Sequence, residues 1–204
     1  RHLLKLILFD MDGLMLDTEQ LYFHAFSQAC TRHGLTGQRE VYLRTIGVDD
    51  ETELQIYQES FPQLDGRVFY SEIQAYCQEQ IRIGHVAVKP GLFALFDAID
   101  EYPGIRKAVV TSNRREMATA LLTQTGVWER LDGGVYREMV SHSKPAPDAY
   151  ELGCRLFSVP PREALVLEDS EPGLYAAQAA GIPVIVVPDL LEPSEQALSG
   201  CMAR

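Results

Sequence analysis

Lysine is scarce in this chain of 204 residues and is missing altogether from Asp17 through Val88. Positive charge is short in general: 18 Lys and Arg stand against 29 Asp and Glu, a net charge of -11. Nucleic-acid surfaces and anionic membranes are recognised by clustered Lys and Arg, so this balance excludes both as partners. A small anionic substrate stays open, because it needs only one local positive site. Cys30, Cys77, Cys154 and Cys201 are scattered, with no CxxC pair and no metal-ligand spacing, which points to reduced thiols in a cytoplasmic protein. No apolar run reaches membrane-spanning length. Residues 3–9 are apolar but too short for the core of a signal peptide, and they run straight into acidic residues. Internal repeats and low-complexity tracts are lacking too, and no pattern specifies an oligomeric state.

What is present is an ordinary globular composition, 46% hydrophobic and 23% charged, with enough length for one good core and a smaller accessory domain. The first informative stretch is Leu6-Ile-Leu-Phe-Asp10-Met-Asp12-Gly13. A continuous apolar run of strand length suits a strand buried on both faces of a parallel sheet. It stops at two carboxylates, which repel each other and need a cation or a shared proton when crowded out of water.

The pattern then turns helical. Residues 17–33 read as an amphipathic helix with Asp17 or Thr18 as N-cap and Gly34 as its stop. Further helices are expected over 38–44, 51–61 and 67–83, punctuated by Pro62 and Gly66, and nothing between 14 and 84 reads as a strand. From residue 92 helices alternate with short strands at 107–110, 134–139, 164–167 and 183–187. Strand–helix alternation implies right-handed crossovers and a parallel sheet. The expected fold is α/β: a Rossmann-like parallel sheet flanked by helices (residues 1–16 and 85–204), with an all-helical cap (17–84) inserted after the first strand. Hinges fall near 13–16 and 84–90.

The ends of parallel strands converge on one edge. Here they carry Asp10 and Asp12; Thr111, Ser112 and Asn113; Lys144 with its flanks; and Glu168 and Asp169. Carboxylates for a divalent cation, a hydroxyl and helix-start amides for phosphate oxygens, and one ammonium are the parts of phosphoryl transfer. Each set has a plainer reading alone: a turn at Asp10–Gly13, a helix cap at Thr111 or Glu168–Asp169, a solvated loop lysine at 144. For Ser112, capping and substrate contact weigh equally. His142 reads as a loop histidine, and Trp128 with the Tyr and Phe residues of the cap as core.

In this order, Asp10-Met-Asp12-Gly13, Thr111-Ser112-Asn113, Lys144-Pro145 and Glu168-Asp169-Ser170 resemble the four signature motifs of the haloacid dehalogenase-like hydrolases. The resemblance extends to Asp17-Thr18-Glu19, to Asp148, and to Gly173 with Ala176-Ala177 and Ala180-Gly181. The set is similar to the subgroup of β-phosphoglucomutase, phosphoglycolate phosphatase and small sugar- or nucleotide-phosphate phosphatases. The resemblance implies that Asp10 is the nucleophile, forming an aspartyl phosphate, and that Asp12 is the acid and base. It implies Mg²⁺ held by Asp10, the backbone carbonyl of Asp12 and Asp169, with Glu168 in or near the outer shell. Thr111, Ser112, Asn113 and Lys144 would bind the phosphoryl group.

Asp12 favours phosphoryl chemistry, since dehalogenases of this fold lack an aspartate there. The lysine-free cap removes a Schiff-base mechanism. Tyr22 stands where the mutase pattern has a histidine, so a phosphatase of a small phosphorylated metabolite (a sugar, polyol or nucleoside phosphate) is preferred over a phosphosugar mutase. A non-catalytic phosphate-binding regulator ranks last, because it would have no need of the acidic cluster. Arg39, Arg44, Arg67 and Arg82 are candidate substrate contacts in the cap.

Overall fold

A computed structural model describes residues 3–204. β1 (Leu6–Phe9), β2 (Arg106–Val110), β3 (Gly133–Val135), β4 (Ala164–Glu168) and β5 (Val184–Val186) form one parallel sheet in the order β3-β2-β1-β4-β5. β1 is central, with Leu6 in register with Arg106 on one side and Ala164 on the other. Side chains alternate between faces along a strand. Leu6 and Leu8 therefore join Val110 and Val166 on one face, while Ile7 and Phe9 join Val109 and Leu167 on the other. Both faces are covered, which is why the run is apolar without a break.

Between β1 and β2 come α1 (Thr18–Arg32), α2 (Arg39–Leu43), α3 (Asp50–Ser60), α4 (Gly66–Arg82) and α5 (Leu92–Asp100). α6 (Arg115–Gln124) follows β2, α7 (Asp148–Leu156) follows β3, α8 (Glu171–Ala179) follows β4 and α9 (Glu195–Ser199) follows β5. α5 and α6 bury Phe96 and Leu121 against one face of the sheet; α7 and α8 bury Tyr150 and Leu174 against the other. The chain leaves β1 toward β2 and β3, then returns to the far side of β1 for β4. The crevice between β1 and β4 is thus the switch point of the sheet, where such folds bind ligands.

α1 to α4 form the all-helical cap around a core of their own, in which Phe26, Tyr57, Phe61 and Phe69 pack ring to ring. Truncating a ring as buried as Phe69 costs about 3–5 kcal/mol. Asp49 caps α3 through Thr52 N, and Asp65 caps α4 through Arg67 N. Two connections run side by side between cap and sheet: Asp17 N donates to Ala87 O, and Lys89 N to Met15 O, both at 2.9 Å. These lie in the stretches expected to hinge.

Two local expectations change, and one helix was not anticipated. Asp17 precedes α1 but makes no side-chain capping bond; Thr18 turns its hydroxyl to Asp12 instead. The third strand ends at Val135, because Arg137 N bonds Asn113 O and the chain enters a 3₁₀ turn over Arg137–Met139. α9, capped by Ser194, had no strong apolar periodicity to announce it.

Candidate active site

Asp10 sits one residue past β1, its N–H on Leu167 O, so the two central strands fix its backbone. Lys144 arrives from the loop before α7 with its ammonium buried. It donates to Asp10 Oδ1 at 2.7 Å, Glu168 Oε1 at 2.6 Å and Val110 O at 3.0 Å. Burial opposes its charge, but the Asp10 and Glu168 carboxylates more than offset this and hold its pKa above the ordinary range.

Glu168 ends β4 and has both oxygens occupied. Oε1 also accepts from Tyr150 Oη at 2.7 Å, and Oε2 accepts from the Asp169 and Ser170 amides and the Ser170 hydroxyl. Burial and the Asp10 charge nevertheless push its pKa up. Gly173 in the first turn of α8 leaves room for this carboxylate: a Cβ there would lie 1.8 Å from Glu168 Oε1. Asp169 follows, with Oδ1 buried and without a hydrogen-bond partner among the described residues. Burial and the charges of Asp10 and Glu168 push its pKa well above the usual carboxylate value. Gly13 faces Asp169 with a left-handed φ of 78°, and a Cβ would come 2.3 Å from Asp169 Oδ2. Only glycine meets both demands.

Asp10, Glu168 and Asp169 can each place one oxygen within 4.8 Å of the others, and all three are buried. All-oxygen donors, an orphaned carboxylate oxygen and one ammonium against three carboxylates suit a hard divalent cation such as Mg²⁺.

Asp12 is oriented differently. Its Oδ1 accepts from Thr18 Oγ1 at 2.5 Å and Tyr22 Oη at 3.0 Å, and its Oδ2 from Asn113 Nδ2. Burial still raises its pKa against those hydrogen bonds and the charge of Lys144. The second strand end divides its tasks. Thr111 is buried and accepts from Asn113 N at 3.1 Å; Ser112 caps no helix and turns its hydroxyl to the cap carbonyl of Gly47 at 3.4 Å. The first amide of α6, on Arg115, is taken by Glu138.

A cleft between cap and sheet collects Asp10, Asp12, Ser112, Asn113, Asp169 and Ser170 on its floor. Its cap wall holds Glu19, Tyr22, Tyr42, Asp50, Glu53 and Tyr57. Three of the cap tyrosines read as core from sequence, Tyr22, Tyr42 and Tyr57, thus also line the cleft. Trp128 is 37% exposed on the sheet domain, and His142 is an exposed loop residue paired with Asp148. None of Arg39, Arg44, Arg67 or Arg82 lines the cleft. Arg39 lies over the Phe23 ring, Arg44 pairs with Glu59, Arg82 with Glu79, and Arg67 opens α4 on the surface. Tyr150, Glu53 and the Glu19–Tyr42 pair were not singled out as site residues from sequence. Glu19 carried only the signal of its place after Asp17-Thr18.

A family model described as haloacid dehalogenase-like hydrolase matches residues 7–187. The chain belongs to the haloacid dehalogenase-like hydrolases. This hydrolase is 30% identical to a phosphorylated carbohydrates phosphatase of Thermotoga maritima, over 88% of the chain and 82% of the relative. It is 31% identical to hexitol phosphatase A of Escherichia coli, over 90% of the chain and 82% of the relative. A crystal structure of CbbY from Rhodobacter sphaeroides in complex with phosphate superposes with a TM-score of 0.77 at 27% identity, covering 98% of this chain and 93% of that one. With relatives named as phosphatases, this member is an enzyme, a phosphoric monoester hydrolase.

Proposed function

We propose that this hydrolase is a Mg²⁺-dependent phosphatase of small phosphate monoesters of the sugar or polyol kind, acting through an aspartyl phosphate on Asp10. The observation that carries the reading is the asymmetry of the acidic pair. Asp10 is held by Lys144 beside Asp169, whereas Asp12 is held by Thr18 and Tyr22 of the cap and by Asn113 after β2. Phosphorylated carbohydrates are what two of the relatives act on by name, which supports the substrate class.

Asp10, oriented by Lys144, attacks phosphorus while the bond to the leaving oxygen breaks. Asp12, its pKa raised by burial, hands its proton to that oxygen. The alcohol leaves, a water gives its proton to Asp12 and attacks the aspartyl phosphate, and Asp10 is restored. Lys144 balances charge on Asp10 and on the transferred group. Asp10, Asp169 and the Asp12 carbonyl would hold Mg²⁺, with Glu168 behind them; the cation supplies the positive charge that lets a carboxylate meet an anionic phosphate. The cap, residues 17–84, excludes water during transfer. Four unbridged cysteines suit a cytoplasmic enzyme.

The mutase alternative has less support, because Tyr22 commits its hydroxyl to Asp12. The test is hydrolysis of p-nitrophenyl phosphate with and without Mg²⁺. Activity that depends on Mg²⁺ and vanishes in Asp10→Asn is expected; activity that survives that change intact overturns the mechanism.

A further inference from the structure

The cap wall of the cleft offers acceptors and no cation. Glu19 is 4% exposed and accepts from Tyr42 Oη through Oε2 at 2.6 Å, leaving Oε1 without a partner among the described residues. Glu53 accepts from Tyr57 Oη through Oε1 at 2.6 Å, and its Oε2 is likewise unpartnered among them. Asp50, Thr45 and Gln74 complete the polar lining. The Tyr42 and Tyr57 hydroxyls are spent on fixing these carboxylates, so the wall is rigid and its remaining oxygens face whatever occupies the cleft. Outside the lining, Arg137 is paired with Asp49 and Glu51, and Arg114 with the wall residue Asp50.

A second phosphate or a carboxylate on the substrate would meet the Glu19, Asp50 and Glu53 carboxyl groups with no cation in the lining to balance it. Charged or neutral, Glu19, Asp50 and Glu53 bring no positive charge to it, and none of the cap's arginines lines the cleft. Hydroxyl groups, by contrast, donate to carboxyl oxygens and accept from a neutral carboxyl, so they pair with Glu19 and Glu53 in either state.

We propose that Glu19 and Glu53 select a neutral, hydroxyl-rich leaving group, so that this enzyme takes polyol or sugar monophosphates and rejects substrates bearing a second anion, such as sugar bisphosphates and phosphoglycolate. This rests on the phosphatase reading above.

The experiment compares kcat/KM for a hexitol monophosphate, the matching hexitol bisphosphate and 2-phosphoglycolate, with p-nitrophenyl phosphate as the reference for turnover. The same three ligands are titrated calorimetrically into Asp10→Asn. A preference for the monophosphate of roughly hundredfold or more is expected in kcat/KM and in Kd. Glu19→Gln and Glu53→Gln should each lower hexitol monophosphate turnover about tenfold relative to p-nitrophenyl phosphate, the effect of one lost hydrogen bond. Glu53→Arg should narrow the gap to the bisphosphate. Equal handling of mono- and bisphosphate by the unmodified enzyme overturns the proposal while the phosphatase reading stands. A binding preference without turnover leaves the selectivity in place and sinks the phosphatase reading.

Discussion

Asp49 in the cap and Arg137 beside the sheet meet at 2.7 Å, with the Ser143 hydroxyl on the same carboxylate oxygen at 2.7 Å. The other oxygen of Asp49 caps α3 through Thr52 N. One carboxylate therefore ends a cap helix and clasps the cap to the core, 88 residues away in sequence. Its Arg partner is three-quarters or more shielded and also reaches Val140 O and Glu51, so the clasp is a small network rather than a loose surface pair.

Asp49→Asn should lower stability by about 1–3 kcal/mol, read as a fall in Tm. Burial opposes the Asp49 charge, but bonds from Thr52, Ser143 and Arg137 outweigh it and bring its pKa down to about 2. A carboxyl depressed in the folded state stabilises at pH values above its unfolded pKa and loses that contribution as pH falls through the folded one. The Tm gap between the two proteins should thus be full at neutral pH and shrink from about pH 4 toward pH 2. A gap that stays constant down to the acid limit contradicts this account.

Gly173→Ala should cripple the enzyme without touching substrate. The added methyl lands on a Glu168 carboxylate that five donors hold in place, so it cannot swing away cheaply. Overpacking of this kind costs about 1–3 kcal/mol. Displacing Glu168 also frees Lys144 from one of its anchors, so kcat should fall at least about a hundredfold in a protein that circular dichroism finds folded.

Asp169→Asn should separate metal binding from folding. In the metal-free protein Asp169 is a buried carboxyl crowded by Asp10 and Glu168, its pKa pushed up by burial and by their charge. Replacing it relieves repulsion. The Tm measured in chelator should not fall, while the rise in Tm on adding Mg²⁺ should largely disappear. A marked drop in chelator would show Asp169 to be a structural group instead.

Tyr22→Phe removes one of the hydroxyls that orient Asp12 and leaves the ring in place. Thr18 and Asn113 still hold the carboxylate, so kcat should fall by about tenfold, with KM for p-nitrophenyl phosphate little changed. A rise in KM at constant kcat would assign Tyr22 to substrate binding rather than to positioning.

Much of this enzyme was legible in its residues before any fold was drawn. A buried strand must be apolar throughout, so β1 and β4 announced themselves, and so did the acidic breaks at Asp10 and Glu168 that end them. Parallel strands present their ends to one edge, which is enough to gather Asp10 and Asp169; Lys144 stands beyond β3, in the loop before α7. A lysine-free cap was equally visible, and with it the poverty of positive charge over the cleft.

The tertiary structure decided what local pattern cannot carry. Tyr42 reaches Glu19 across 23 residues and Tyr150 reaches Glu168 across 18, and neither spacing lies within a helical turn or a strand pair that periodicity could report. The four candidate arginines of the cap carried charge, but their direction depends on how α1 to α4 pack around Phe26 and Phe69, and none of the four lines the cleft. Local sequence determined the chemistry, because reactive groups must stand where a strand stops. Which groups face the substrate was left to packing, because a side chain's direction depends on neighbours that are distant in the chain.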